Sequence, residues 1–289
     1  PFKPRQIQKD ILDEIEVHLQ SGYKKIVICA PTGVGKSLVG ATVSNYFDSS
    51  FTVTASKHLQ DQYIKDIPFL KPVKGKQNFP CLKLMDAEKV GDDRESMRWG
   101  LTCDKGQCQE RINKNGKEVV QVCKFKPTIK QVEDKTQDSL SCHYYLQKYD
   151  ALVSNHSLWN YHAFFTIMKY NKKLFADYLN RKVTVFDEAH KIEDQIIQFV
   201  GFDIFAGQVD ECNLSTDRYN FTDLDSMIQL TDDIAFSYAK KIKDIKESTL
   251  FQNNPDFELI TGLERRYDKA AQAKIDIIAD KDNFVVNDP

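Results

Sequence analysis

No stretch of this chain approaches the roughly twenty consecutive apolar residues of a membrane-crossing helix, although 41 % of its 289 residues are hydrophobic. The N-terminus, Pro1-Phe2-Lys3-Pro4-Arg5, lacks the apolar core of a signal peptide, so secretion is not expected. It also lacks an initiator Met, which points to a processed chain or an excerpt. No internal repeat is visible, which excludes a solenoid or propeller. Neither sign of charge dominates: 40 basic and 42 acidic residues leave a net charge of −2 and no global mark of a nucleic-acid partner. What remains is an intracellular protein, cytoplasmic or, in a eukaryote, nuclear, with no membrane partner and enough length for one large domain or two to three smaller ones.

The near-neutral total hides an uneven distribution. Residues 71–150 carry 16 basic against 12 acidic side chains, whereas 191–289 carry 11 against 20. A basic middle and an acidic end imply segments with different tasks.

Two motifs carry chemistry. Ala30-Pro31-Thr32-Gly33-Val34-Gly35-Lys36-Ser37 follows the apolar run Ile26-Val27-Ile28-Cys29 and leads into Ser37–Val43, which has helical spacing. Strand, glycine-bearing turn and helix form the setting of a phosphate-binding loop. Backbone N–H groups of Thr32, Gly33, Val34 and Gly35 would wrap phosphates, Lys36 would reach the β and γ oxygens, and Ser37 would sit on Mg²⁺. Ala30 replaces the first Gly of the strictest pattern. The second motif, Val185-Phe186-Asp187-Glu188-Ala189-His190, ends a strand-like run in two carboxylates. Asp187 is suited to hold Mg²⁺ and Glu188 to polarise water. Together the motifs predict nucleotide hydrolysis.

Cysteine is plentiful. Cys29 reads as a small core residue of the strand before the loop, and Cys212 offers no partner by spacing. The other five, Cys81, Cys103, Cys108, Cys123 and Cys142, fall within the basic middle. Thiols stay reduced inside cells, so metal ligation is favoured over a disulfide framework. Thiolate ligation restricts the choice to a structural Zn²⁺ or an iron–sulfur cluster. Spacing alone does not separate them, although two isolated cysteines around the one tight pair, Cys103-x₄-Cys108, suit a cluster better. His18, His58, His143 and His162 read as surface or packing residues, and His156 as core packing or a DNA contact.

Periodicity sets out the organisation. Ile7, Ile11, Leu12, Ile15 and Leu19 predict an amphipathic helix over 5–20, ended at Gly22. Strands are expected at 26–29, 51–54, 151–154 and 183–186. Helices are expected from Leu59 to Leu70 and through 158–179. Residues 222–249 and 255–281 show apolar positions at three- and four-residue steps and predict helices with one buried face. Strands alternating with helices around a phosphate loop imply an α/β fold with a parallel sheet, the ligand lying at the strands' carboxyl ends.

The order of these segments resembles the iron–sulfur superfamily 2 DNA helicases of the XPD and DinG type. Phe2-x-Pro4-Arg5-x-x-Gln8 is similar to their adenine-side motif, and Thr52 to Gln62 to the motif that ends in Leu-x-x-Gln and touches the DNA backbone. Gly75-Lys76-Gln77-Asn78-Phe79-Pro80-Cys81 is similar to the segment with the first cluster cysteine. Cys142-His143-Tyr144-Tyr145, followed by Ala151 to Leu158, is similar to the last cysteine and the strand after it. The resemblance covers about 1–200. It implies a RecA-like motor domain over 1–70 and 151–190, a cluster domain over 71–150 and a helical arch-like domain over 191–289. It also implies a [4Fe-4S] cluster on Cys81, Cys103, Cys108 and Cys142, Cys123 being spare, with Arg5 and Gln8 beside adenine and His190 coupling the site to the rest of the motor. Single-stranded or forked DNA is the implied partner, with 5′→3′ movement. Arg94, Arg98, Lys105, Arg111, Lys114, Lys117, Lys124 and Lys126 would face its backbone, and Trp99, Phe125, Tyr144 and Tyr145 would stack on bases or pack round the cluster. The family's Ser-Ala-Thr motif and second motor domain are not found, so the chain is expected to be truncated. Two other readings compete: a zinc-stabilised DNA-binding module without a motor, and a small-molecule kinase, against which Asp187-Glu188-Ala189-His190 speaks.

Overall fold

Strand β1, Ser50–Thr54, reads Ser-Phe-Thr-Val-Thr, and all five residues are buried. Side chains alternate between the faces of a strand. Phe51 and Val53 therefore enter one core with Trp159, Tyr161, Phe164 and Ile167. The small polar residues turn the other way, where the Thr52 and Ser44 hydroxyls bond each other at 3.0 Å. The computed structural model describes residues 3–114, 117–248 and 257–284. The chain divides after Gln195 into two compact units.

In the first unit, helix α1 (Gln6–Gln20) precedes the phosphate loop and α2 (Lys36–Tyr46) follows it. After β1 come α3 (Lys57–Asp66), capped by the Ser56 hydroxyl on the Leu59 N–H, and the short β2 (Lys71–Pro72). The cysteine-bearing segment holds α4 (Leu82–Glu88), α5 (Asp93–Arg98), an antiparallel hairpin of β3 (Gln109–Lys114) and β4 (Lys117–Val122), and α6 (Ile129–Glu133). Then follow α7 (His143–Val153), β5 (His156–Asn160), α8 (Tyr161–Tyr170), α9 (Ala176–Leu179) and β6 (Val183–Phe186). The four-stranded sheet has the order β2-β5-β1-β6 and is parallel throughout. Leu158, Ala41, Tyr63, Ile67 and Leu70 form a second core on the face that carries Thr52. A parallel sheet covered on both faces is the architecture of an α/β domain, as the sequence implies.

Two strands stand elsewhere than the sequence suggests. Ile26-Val27-Ile28-Cys29 is not a strand. Val27 is 91 % exposed and Cys29, expected in the core, is exposed as well. Strand β6 is the edge of the sheet, and among the described residues no strand lies beyond it for this run to join. Ala151-Leu152-Val153 closes helix α7 instead of forming a strand, and the return strand follows as β5. A short apolar run reports burial without distinguishing helix from strand. The expected helix through 158–179 is likewise divided, because Asn160 ends β5 and caps α8 by accepting the Ala163 N–H at 2.8 Å.

The second unit is helical. It follows α10 (Ile192–Val200) with α11 (Ala206–Glu211), α12 (Leu224–Glu247) and α13 (Phe257–Ala279). Leu230, Ile234 and Tyr238 of α12 pack with Leu263 and Ala270 of α13. The two long helices match the periodic stretches, except that 249–256 lie outside the described residues. Among the described residues no helix is long and apolar enough to cross a membrane.

Gln60 ties helix to sheet. Its side chain is buried on α3, and its Nε2 donates to the carbonyls of Val73 (2.9 Å) and Leu158 (3.3 Å). Gln60→Leu keeps the volume but leaves buried carbonyls short of a donor, at a cost of about 1–3 kcal/mol. Urea unfolding followed by circular dichroism should show a lower midpoint with an unchanged slope.

Candidate active site

The phosphate loop is shaped by two glycines and held by α1. Gly33 and Gly35 have φ of 82° and 88°, the left-handed region where a side chain is strained. Gly35 caps α2, so the first N–H groups of an eleven-residue helix point into the loop. The Arg5 guanidinium donates to the Gly33 carbonyl at 2.7 Å, and Gln8 Nε2 to the Val34 carbonyl at 2.9 Å. Gln8 Oε1 in turn accepts the Arg5 N–H at 2.9 Å. Arg5 and Gln8, matched by resemblance to adenine contacts, are thus braces of the loop backbone here. Phe2 lies outside the described residues. Lys36 Nζ donates to the Ala30 carbonyl at 3.0 Å, and Thr32 stands exposed on the turn.

Strand β6 delivers the carboxylates. The Asp187 N–H donates to the Val53 carbonyl at 2.8 Å, which extends the sheet ladder by one residue and fixes where the side chain begins. That side chain is buried. Its Oδ2 accepts the Ser37 hydroxyl at 3.0 Å and the Tyr63 hydroxyl at 2.8 Å, and its Oδ1 accepts the Glu188 N–H at 3.0 Å. The Tyr161 hydroxyl donates to the Asp187 carbonyl at 3.0 Å. Ser37 and Asp187 are 150 positions apart, so the fold brings the two motifs into direct contact. Glu188 has φ 55° and ψ 44°, a conformation uncommon outside glycine, and stored strain of this kind clusters at functional sites. Its Oε2 lies 3.3 Å from His190 Nδ1.

Sequence reasoning passed over Tyr63 and Tyr161. Burial first, then the charge of Asp187, pushes both phenols well above the usual tyrosine range. They remain protonated donors. The arrangement offers N–H groups and an ammonium for phosphate oxygens, and a hydroxyl with an adjacent carboxylate for a divalent cation.

A second cluster gathers the cysteines. Cys81, Cys103 and Cys142 are buried together with Phe79, Phe125, Tyr144 and Tyr145 packed round them. Cys108 and Cys123 line the same cavity. Backbone bonds explain the convergence: Cys81 N–H to Leu101 O (2.8 Å), Cys103 N–H to Phe79 O (2.9 Å), Cys123 N–H to Cys108 O (3.0 Å) and Cys142 N–H to Phe125 O (2.7 Å). The Cys103 and Cys142 sulfurs are 3.7 Å apart. A Cβ on Gly106 would stand 2.4 Å from the Cys81 sulfur, so glycine there makes room for it. Hydrogen bonding to Cys103 draws the Cys81 and Cys142 thiols down to about 6, while Cys103 itself is pushed up. Among the described residues, no group of three His, Cys, Asp or Glu is disposed to hold a single metal ion.

The candidate DNA residues are mixed. Phe125, Tyr144 and Tyr145 pack round the cysteines, whereas Trp99 is exposed. Lys124 pairs with Asp86 at 2.7 Å, and Lys126 lies over the Tyr145 ring. Arg94 and Arg98 are exposed on α5. Arg111, Lys114 and Lys117 lie outside the residues whose side chains are described. Two lysines that the sequence did not single out belong to this basic group. Burial, and then the charges of Lys76 and Lys126, lowers Lys148 to about 8. Lys76 Nζ is 3.9 Å from the Cys108 sulfur.

The family model for the type III restriction enzyme res subunit matches residues 1–213. The chain is also similar to the ATP-dependent DNA helicase YoaA of Haemophilus influenzae (strain ATCC 51907 / DSM 11121 / KW20 / Rd), at 25 % identity over 297 residues. That alignment covers 90 % of this chain and 42 % of the helicase, so the chain spans less than half of that relative's length.

Gly35 gives the loop its sharpest test. A Cβ there would stand 2.3 Å from Gln8 Nε2 on a backbone already at positive φ. Gly35→Ala should displace the Gln8 brace and weaken binding of a fluorescent ATP analogue by roughly tenfold or more, the scale of 1–3 kcal/mol of strain. Gly91→Ala, with nothing within 4 Å of the added Cβ, is the control and should bind as the parent does.

Proposed function

This chain belongs to the family of the type III restriction enzyme res subunit, and on that premise we propose that it is the N-terminal motor half of an ATP-dependent DNA helicase of the iron–sulfur kind. The observation that carries the proposal is the Ser37–Asp187 hydrogen bond, which joins a phosphate loop to an acidic strand end across 150 residues. A helicase relative aligned over nearly all of the chain supports the same reading.

In this account the N–H groups of residues 32–36 and the Lys36 ammonium bind the triphosphate, and Arg5 and Gln8 keep the loop from opening. Ser37 and Asp187 would hold Mg²⁺, which when bound supplies positive charge to the phosphate oxygens. Glu188 orients the attacking water and accepts its proton, while His190, 3.3 Å away, restrains the Glu188 carboxylate. Lys36 offsets the charge that develops on the transferred phosphoryl group. Residues 71–150 would line the path of a single strand, with the helical unit as the arch. Movement in the 5′→3′ sense and a preference for forked DNA belong to the proposal.

The cysteine cavity fits a [4Fe-4S] cluster in its donor chemistry: five thiols from separated segments meet in one aromatic-walled space. Cys81, Cys103, Cys108 and Cys142 would hold it.

Two measurements test this. Lys36→Ala should abolish ATP turnover in the complete protein by weakening phosphate binding. Glu188→Gln should lower it about 10²–10⁴-fold, as expected for a lost general base, with ATP still bound. Turnover that survives both changes refutes the assignment. For the metal, anaerobic purification should give a brown protein whose iron content follows its visible absorption. Serine at 81, 103, 108 or 142 should bleach it, and Cys123→Ser should not. Stoichiometric zinc in place of iron would favour the zinc-stabilised module instead.

A further inference from the structure

Asp187 accepts more hydrogen bonds than a metal-holding carboxylate needs in order to be held still. A carboxylate offers about four lone-pair positions, two on each oxygen. Ser37 and Tyr63 fill both positions on Oδ2, and the Glu188 N–H takes one on Oδ1. One position is left, and it is on Oδ1. The Ser37 hydroxyl donates its hydrogen bond to Asp187, so its lone pairs remain for a cation.

We propose that Tyr63 is a positioning residue for the catalytic cation. Its hydroxyl pins Oδ2 so that the Asp187 carboxylate presents Oδ1 to the metal's shell and cannot rotate to exchange its two oxygens. The ring and the hydroxyl have separable tasks. The ring fills the core with Ala41, Ile67, Leu70 and Leu158. The hydroxyl is directed at Asp187, 124 positions away, at 2.8 Å. Gly40 lets α2 approach β6 closely, since a Cβ there would lie 3.0 Å from Val185 Cγ1.

This inference rests on the reading of residues 30–37 and 187 as an ATP and cation site. The test is Mn²⁺ titration of the chain with a fluorescent ATP analogue, read by electron paramagnetic resonance, with analogue affinity in EDTA measured in parallel. Tyr63→Phe keeps the ring and should raise the Mn²⁺ concentration for half-saturation roughly tenfold, the loss expected for a hydrogen bond to a charged acceptor. Affinity in EDTA should stay within about twofold, because no phosphate contact changes. In an Asp187→Asn background the same substitution should add little, since the partner it orients is gone. An unchanged Mn²⁺ titration, equal losses with and without metal, or a full further loss in the Asp187→Asn background would each overturn the positioning role. Failure of the unaltered chain to show any cation-dependent nucleotide binding would instead refute the site reading beneath it.

Discussion

The buried carboxylate of Asp187 is the point on which the first unit closes. It is approached by the phosphate loop through Ser37, by α3 through Tyr63 and by its own strand through the Glu188 amide. A buried charge is tolerable only when its lone pairs are served, so each donor is kept in place by the cost of losing it. The restraint runs in both directions. Helix α3 carries Gln60, which bonds Val73 and Leu158, and one turn later Tyr63, which bonds Asp187. A shift of α3 would therefore be felt at the sheet and at the carboxylate together.

The parts of this arrangement that were legible from sequence are those fixed by local chemistry. Gly33 and Gly35 announce positive φ, Lys36-Ser37 follow at the start of a helix, and Asp187-Glu188 end an apolar run. Helices α12 and α13 were legible because their apolar positions recur with the helical period over many turns. What depended on distant partners was not. The runs 26–29 and 151–154 are both apolar, yet one lies outside the sheet and the other completes a helix. Tyr63 was hidden by its own ring, since an aromatic residue at helical spacing reads as core. It is core, and only its hydroxyl, bonded 124 residues away, shows the second role.

The cysteines illustrate a different limit. Spacing picked out one close pair between isolated cysteines, and the resemblance set Cys123 aside. In the folded chain Cys108 and Cys123 face each other across the base of the β3–β4 hairpin, and both line the cavity. Antiparallel pairing brings together residues at the two ends of a hairpin whatever their separation along the chain. A loop-length argument therefore had no means of ranking Cys123 below Cys108. The ranking came from resemblance alone.

The two edges of the central sheet are unequal. Strand β2 is two residues long and contains Pro72, so it offers little to a passing chain. Strand β6 is Val-Thr-Val-Phe, without charge or proline, and pairs only with β1 among the described residues. An uncharged β-branched edge of this kind is a template for intermolecular strand addition. A strand added at this edge would lie beside the segment that presents Asp187 and Glu188, so association there would bear directly on the candidate site.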